Sequence, residues 1–130
     1  MTEPPYRLFR QDAVEFLQEI PAGSANLIIT DPAYESLEKY RKIGTTTRLK
    51  KSNASSNEWF DVFPNTRFPE FFAACYRALA KNSHLYVMCD DETAYVIKPI
   101  GEAAGFTYWK RIVWDKEKIG LGYHYRSRCE

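Results

Sequence analysis

Residues 27–34 read LIITDPAY, an apolar run that ends in Asp31-Pro32 and places an aromatic, Tyr34, two positions after the proline. Those residue types at that spacing suit chemistry at the exocyclic amino group of a planar base. Such a nitrogen is a poor nucleophile because its lone pair is delocalised into the ring. Two acceptors that take its two N–H groups favour a pyramidal nitrogen with the lone pair aimed at an electrophile. The Asp31 carboxylate supplies one acceptor. The Pro32 carbonyl, on a residue whose φ the ring fixes, supplies the other. Tyr34 can stack on a base that has left its duplex.

Such a turn needs a rigid strand before it. Asn26–Thr30 is a continuous apolar run of the kind buried in a parallel sheet. Upstream, Tyr6–Arg10 reads as a short strand. Asp12, with Glu15 three residues on, fits the capping box of a helix whose apolar face includes Val14 and Leu17. Phe68, Phe71, Phe72, Cys75, Tyr76 and Leu79 follow helical spacing and form one apolar face, which claims Cys75 for the core. HLYVMCD (84–90) reads as a buried strand, and residues 92–104 as a helix broken or kinked at Pro99. FTYWKRIVW (106–114) reads as a further strand. Alternating strands and helices imply an α/β domain with a mostly parallel sheet. Ligands bind at the carboxyl ends of strands in such sheets. DPAY and CDDE (89–92) both lie there.

The chain has 130 residues, 45% of them hydrophobic and 15% aromatic, enough for one domain with a real core. No apolar run approaches the roughly 20 residues that span a bilayer. The N-terminal MTEPPYRLFR lacks a signal peptide's apolar stretch, and three widely spaced cysteines suit a reducing compartment, so a cytoplasmic location is expected. The net charge of +1 says nothing about nucleic acid, but its distribution does. Residues 35–65 form a long polar loop. Within it Lys39, Arg41, Lys42, Arg48, Lys50 and Lys51 crowd into 13 residues without an acidic one, as a segment that tracks phosphates would. Cys75, Cys89, Cys129, His84 and His124 show no metal-ligand spacing, and no metal is expected.

The ordered set of segments resembles the amino-group DNA methyltransferases, which modify adenine or cytosine and carry D-P-P-Y after a buried strand. RQDAVEFLQEIPAGSANLIITDPAY resembles the opening of the permuted class, with the catalytic half first. FFAACYRALAKNSHLYVMCD resembles the following helix and strand, and GFTYWKRIVWDK and GLGYHYRSRCE resemble what comes next. The resemblance covers essentially the whole chain. It implies a Rossmann-like core, incomplete here, and methyl transfer from S-adenosylmethionine to an amino group in DNA. Asp31 favours adenine, since cytosine-modifying members more often carry Ser there. The catalytic residues would be Asp31, Pro32 and Tyr34. Cofactor contacts would come from Asp12, Asp31 and Ala33, and DNA contacts from the basic loop together with Tyr123, Tyr125 and Arg126. Arg128, Lys116 and Lys118 offer further phosphate contacts, while Trp59 and Phe60 are read either as a DNA wedge or as loop anchors.

Three departures qualify the resemblance. Ala33 stands where the family usually has Pro, which frees the ψ of Pro32. Cys129 stands where His commonly precedes Glu. No F-x-G-x-G cofactor turn is present, because the GLG at 120–122 does not follow a strand. The expectation is therefore the catalytic half of a longer or split enzyme, completed by a C-terminal segment or a partner chain. The alternative is a non-catalytic nucleic-acid-binding remnant, and a third option is methylation of a planar protein amide, as N-P-P-Y enzymes perform.

Overall fold

The computed structural model describes residues 5–36 and 61–117. Its elements are helix α1 (Ala13–Glu19), strand β1 (Ala25–Thr30), a 3₁₀ turn (Asn65–Arg67), helix α2 (Phe68–Ala78), strand β2 (Leu79–Val87) and helix α3 (Asp91–Ala103). β1 and β2 pair in parallel, as the α/β reading requires. The arrangement, helices against a two-stranded parallel sheet, is consistent with part of a Rossmann-like core. Among the described residues no helix is long and apolar enough to cross a membrane.

α1 begins where the capping pattern places it. Asp12 is the N-cap, and its side chain accepts from the Val14 and Glu15 amides. Val14 and Leu17 are buried. The far end of α1 has no Gly cap. Instead Arg77 Nη2 donates to the carbonyls of Leu17, Gln18 and Ile20 at 2.6, 3.1 and 2.8 Å, satisfying acceptors that a helix end leaves without partners.

α2 bears out the aromatic periodicity in part, since Tyr76 is 53% exposed and Leu79 begins β2. Phe68, Phe71, Phe72 and Cys75 lie in the core, with Phe68 and Cys75 fully buried. Burial pushes the Cys75 thiol up to about 12. α2 packs against α1 and α3 and over one face of the sheet, where Ile28, Leu85 and Val87 are half-buried against it. α3 comes close because Gly101 has no side chain: a Cβ there would sit 3.2 Å from the Phe72 ring.

Four expectations change. α3 runs through Pro99 without a break. The carbonyl that proline leaves without a donor belongs to Tyr95, whose residue is 83% exposed, so water can serve it. β2 starts at Leu79, directly after α2, rather than at His84. The register shifts there: β1 pairs Ala25 with Leu79 and Leu27 with His84, and Asn82 takes a φ of 62° in the excess segment. Residues 6–10 and 106–114 are not strands. β-propensity alone does not hold a strand without a ladder partner. Finally, β1 is not buried on both faces: Leu27 and Ile29 remain 50% and 60% exposed beside Tyr86 and Met88.

Candidate active site at the strand ends

The parallel pairing of residues 27–30 with residues 84–87 determines where the candidate turn begins. Thr30 lies opposite Val87, and the Met88 amide donates to the Thr30 carbonyl at 2.9 Å. Both chains leave the sheet at the same edge, so Asp31 and Cys89–Asp91 become neighbours. The electrostatics register that crowding. Burial raises the Cys89 thiol to about 11, and the carboxylates of Asp90, Asp91 and Asp31 add to the effect against Arg111. A thiol held there is inert as a nucleophile at neutral pH. Among the described residues no cluster suited to a metal ion occurs.

Asp31 is exposed at the start of the turn, and Pro32 and Ala33 are half-buried. Beyond them the chain is tied down three times. The Phe63 amide donates to the Ala33 carbonyl at 2.7 Å, and Tyr34 and Phe63 form a parallel bridge. The Asn65 amide donates to Glu35 Oε1 at 2.7 Å. Ser36 Oγ donates to Asp90 Oδ2 at 2.5 Å. The ψ freedom that Ala33 gives Pro32 is thus limited from the far side, by a backbone bond on the next residue. Tyr34 is only 8% exposed, so its ring belongs largely to the packing behind the turn.

Phe63 is itself held by the core. Its ring meets Phe68 and Phe71 at centroid distances of 5.1 and 5.7 Å, and the Arg67 guanidinium lies over it at 5.1 Å. Arg67 in turn grips Asp12 with two nitrogens, at 2.7 and 3.0 Å, and Glu70 with the third. The hydrogen bonds from Arg67 and the cap amides hold the Asp12 carboxyl at about 2, against an ordinary 3.8. Asp12 therefore serves both the helix cap and Arg67. Oδ2 takes one bond, from Arg67, and the Asp12 side chain is 32% exposed, so the cap and the ion pair leave acceptor capacity on that oxygen; Asp31 is exposed and Ala33 half-buried. The link Asp12–Arg67–Phe63–Ala33 joins the start of α1 to the functional turn. Sequence reasoning missed it because Arg67 and Asp12 are 55 residues apart.

Lys39, Arg41, Lys42, Arg48, Lys50, Lys51, Tyr123, Tyr125 and Arg126 lie outside the described residues, as do Trp59, Phe60, Lys118, Arg128 and Cys129. Lys116 is described, and its ammonium lies over the Trp114 ring at 5.0 Å.

Comparison with known proteins agrees with the geometry. Residues 25–129 match the model of a DNA methylase family whose members act at N6 or N4 amino groups. The chain is 33% identical over 122 residues to the DNA adenine methyltransferase YhdJ of Escherichia coli (strain K12). That alignment covers 92% of this chain but only 37% of the relative, so the chain spans little more than a third of that protein's length. No solved structure matches significantly.

Proposed function

The chain belongs to the N6/N4 DNA methylase family, and from that premise we propose that it transfers a methyl group from S-adenosylmethionine to the N6 amino group of adenine in DNA. It would do so in the cytoplasm, as the catalytic, base-binding half of a longer or split enzyme that residues beyond these 130 complete. One observation carries the reading: Asp31-Pro32 leaves the carboxyl end of β1 beside the end of β2, with Asp31 exposed and Pro32 half-buried, on a turn whose far side is hydrogen-bonded to Phe63.

Asp31 and the Pro32 carbonyl accept the two amino protons and direct the nitrogen lone pair outward. S-adenosylmethionine, when bound, would supply the methyl group from its sulfonium, and the proton that the methylated nitrogen gives up would pass to the Asp31 carboxylate and on to solvent. Bringing adenine out of the duplex costs about a few kcal/mol. Because Tyr34 is 8% exposed, stacking on it requires the turn or a neighbouring side chain to move as the base enters. Asp12, Asp31 and Ala33 border the cofactor, and Asp12 also acts on the turn through Arg67 and Phe63. Lys39, Arg41, Lys42, Arg48, Lys50 and Lys51 meet the phosphates, and Tyr123, Tyr125 and Arg126 meet the target nucleotide.

The test is methyl transfer from labelled cofactor to duplex DNA by the complete enzyme and its Asp31→Ala variant. The variant should lose about 10²–10³-fold or more in turnover, the scale for removing one preorganised electrostatic contact, while still binding cofactor. Turnover near wild type would overturn the mechanism. Ala33, in place of the family's usual proline, favours the second reading, a DNA-binding domain without turnover. In that case the wild-type enzyme would bind DNA and transfer no methyl group.

A further inference from the structure

We propose that Ser36 and Asp90 are a positioning pair for the base-orienting turn, an inference that rests on the reading of residues 31–34 given above. The two residues lie 54 positions apart, one just beyond Tyr34 and the other just beyond β2. Asp90 uses its two carboxylate oxygens for two different elements. Oδ1 accepts from the Thr93 amide at 2.9 Å and caps α3. Oδ2 accepts from the Ser36 hydroxyl. Ser36 and Thr93 are 6% and 2% exposed and Asp90 is half-buried, so the junction is partly shielded from water. A hydrogen bond to a carboxylate in such a place is among the stronger ones proteins make.

The geometry explains why that bond matters to the turn. Asp31 and Pro32 are held upstream by β1 and the Met88–Thr30 bond. Downstream, Ala33 and Glu35 are held by the segment 63–65, which is not part of the sheet. Ser36–Asp90 is a bond that returns the far end of the turn to the β2 side of the fold. With it, the peptide carrying the Pro32 carbonyl is fixed at both ends against the same pair of strands. Without it, the turn can ride with residues 61–65. Neither residue has to touch the base. Their effect is on the orientation of the acceptor, so it falls on turnover more than on DNA affinity.

Two measurements test this on wild type, Ser36→Ala, Asp90→Ala and the double variant. The first is amide hydrogen exchange at Phe63, whose N–H is bonded to the Ala33 carbonyl. Each single variant should speed it about tenfold, and the double variant no more than the faster single, because both remove one shared bond. Asp90→Ala should also expose the Thr93 amide, which Ser36→Ala should leave protected. Exchange at Phe63 within twofold of wild type in Ser36→Ala, or independent additive effects of the two changes, would overturn the proposal. Ser36→Ala alone decides if Asp90→Ala does not fold. The second measurement is steady-state methylation of duplex DNA by the complete enzyme, where Ser36→Ala should lower kcat about tenfold and leave KM for DNA within twofold. A change confined to KM would overturn the positioning role. A wild-type enzyme without methylation, but with the expected exchange response, would overturn the functional reading of the turn and leave the Ser36–Asp90 clamp standing.

Discussion

Phe68→Ala is the substitution that most directly tests how the core supports the site. Phe68 is fully buried, with ring centroids of Phe63, Phe72 and Phe71 at 5.1, 6.2 and 6.4 Å. Truncating a buried phenylalanine costs about 3–5 kcal/mol, from lost transfer energy and the cavity left behind. Three aromatic neighbours, each contributing about 0.5–1.5 kcal/mol beyond simple burial, place this site in the upper part of that range. Domains are stable by only about 5–15 kcal/mol in total, so the variant should stand near its unfolding threshold. With a urea slope of about 2 kcal/mol per molar, a loss of about 4 kcal/mol lowers the midpoint by about 2 M. Phe68→Leu keeps most of the volume and should lose less than about 1.5 kcal/mol. Tyr95→Ala, at an 83% exposed position, should stay within about 0.5 kcal/mol of wild type. The assay is urea unfolding followed by far-UV circular dichroism at matched protein concentration. A Phe68→Ala midpoint within about 0.5 M of wild type at unchanged slope would refute the packing argument, as would equal losses from Ala and Leu.

Two further outcomes follow from side chains that bridge distant elements. Arg77→Ala leaves the carbonyls of Leu17, Gln18 and Ile20 without their shared donor. It should cost about 1–2 kcal/mol in the same assay, and Arg77→Lys should recover only part of that, since an ammonium lacks the planar fork; full recovery would count against the cap. For Asp12 the folded carboxyl sits at about 2 and the ordinary one at 3.8, so its contribution is complete above the ordinary value and disappears as pH falls toward the folded one. The difference in thermal midpoint between wild type and Asp12→Asn should hold steady from neutral pH down to about 5 and then close below about 4. A gap that persists unchanged to pH 2 would mean that the Arg67 contact does not act through charge.

What was legible in the sequence had a local period or a local grammar. Phe68 through Leu79 spelled a helix because six apolar residues recur at its spacing, and α2 buries four of them, while Tyr76 is 53% exposed and Leu79 begins β2. Asp12 announced a helix start because its partners, Val14 and Glu15, lie within three residues. The functional turn stood out because an apolar strand ended in Asp-Pro, and pairing with β2 placed it at the sheet's carboxyl edge. The contacts that hold the turn were not legible. Phe63 to Ala33, Asn65 to Glu35 and Ser36 to Asp90 join segments with no shared pattern, and a single polar residue does not advertise a partner 30 or 54 positions away. The run at 106–114 misled for the related reason that apolar β-branched and aromatic residues describe what could enter a sheet, while a ladder partner decides whether it does.

The β1–β2 pairing also determines when the site can form during folding. Leu27 meets His84 only after the whole of the intervening chain has been closed into a loop, and closing a longer loop costs more entropy before any contact repays it. α1 and α2 can form from nearby residues on the way. The strand ends that carry Asp31 and Asp90 cannot meet until that long-range pairing is made. A newly made chain would therefore hold its helices before it holds a functional turn, and its refolding rate would be governed by that one distant contact more than by the helices.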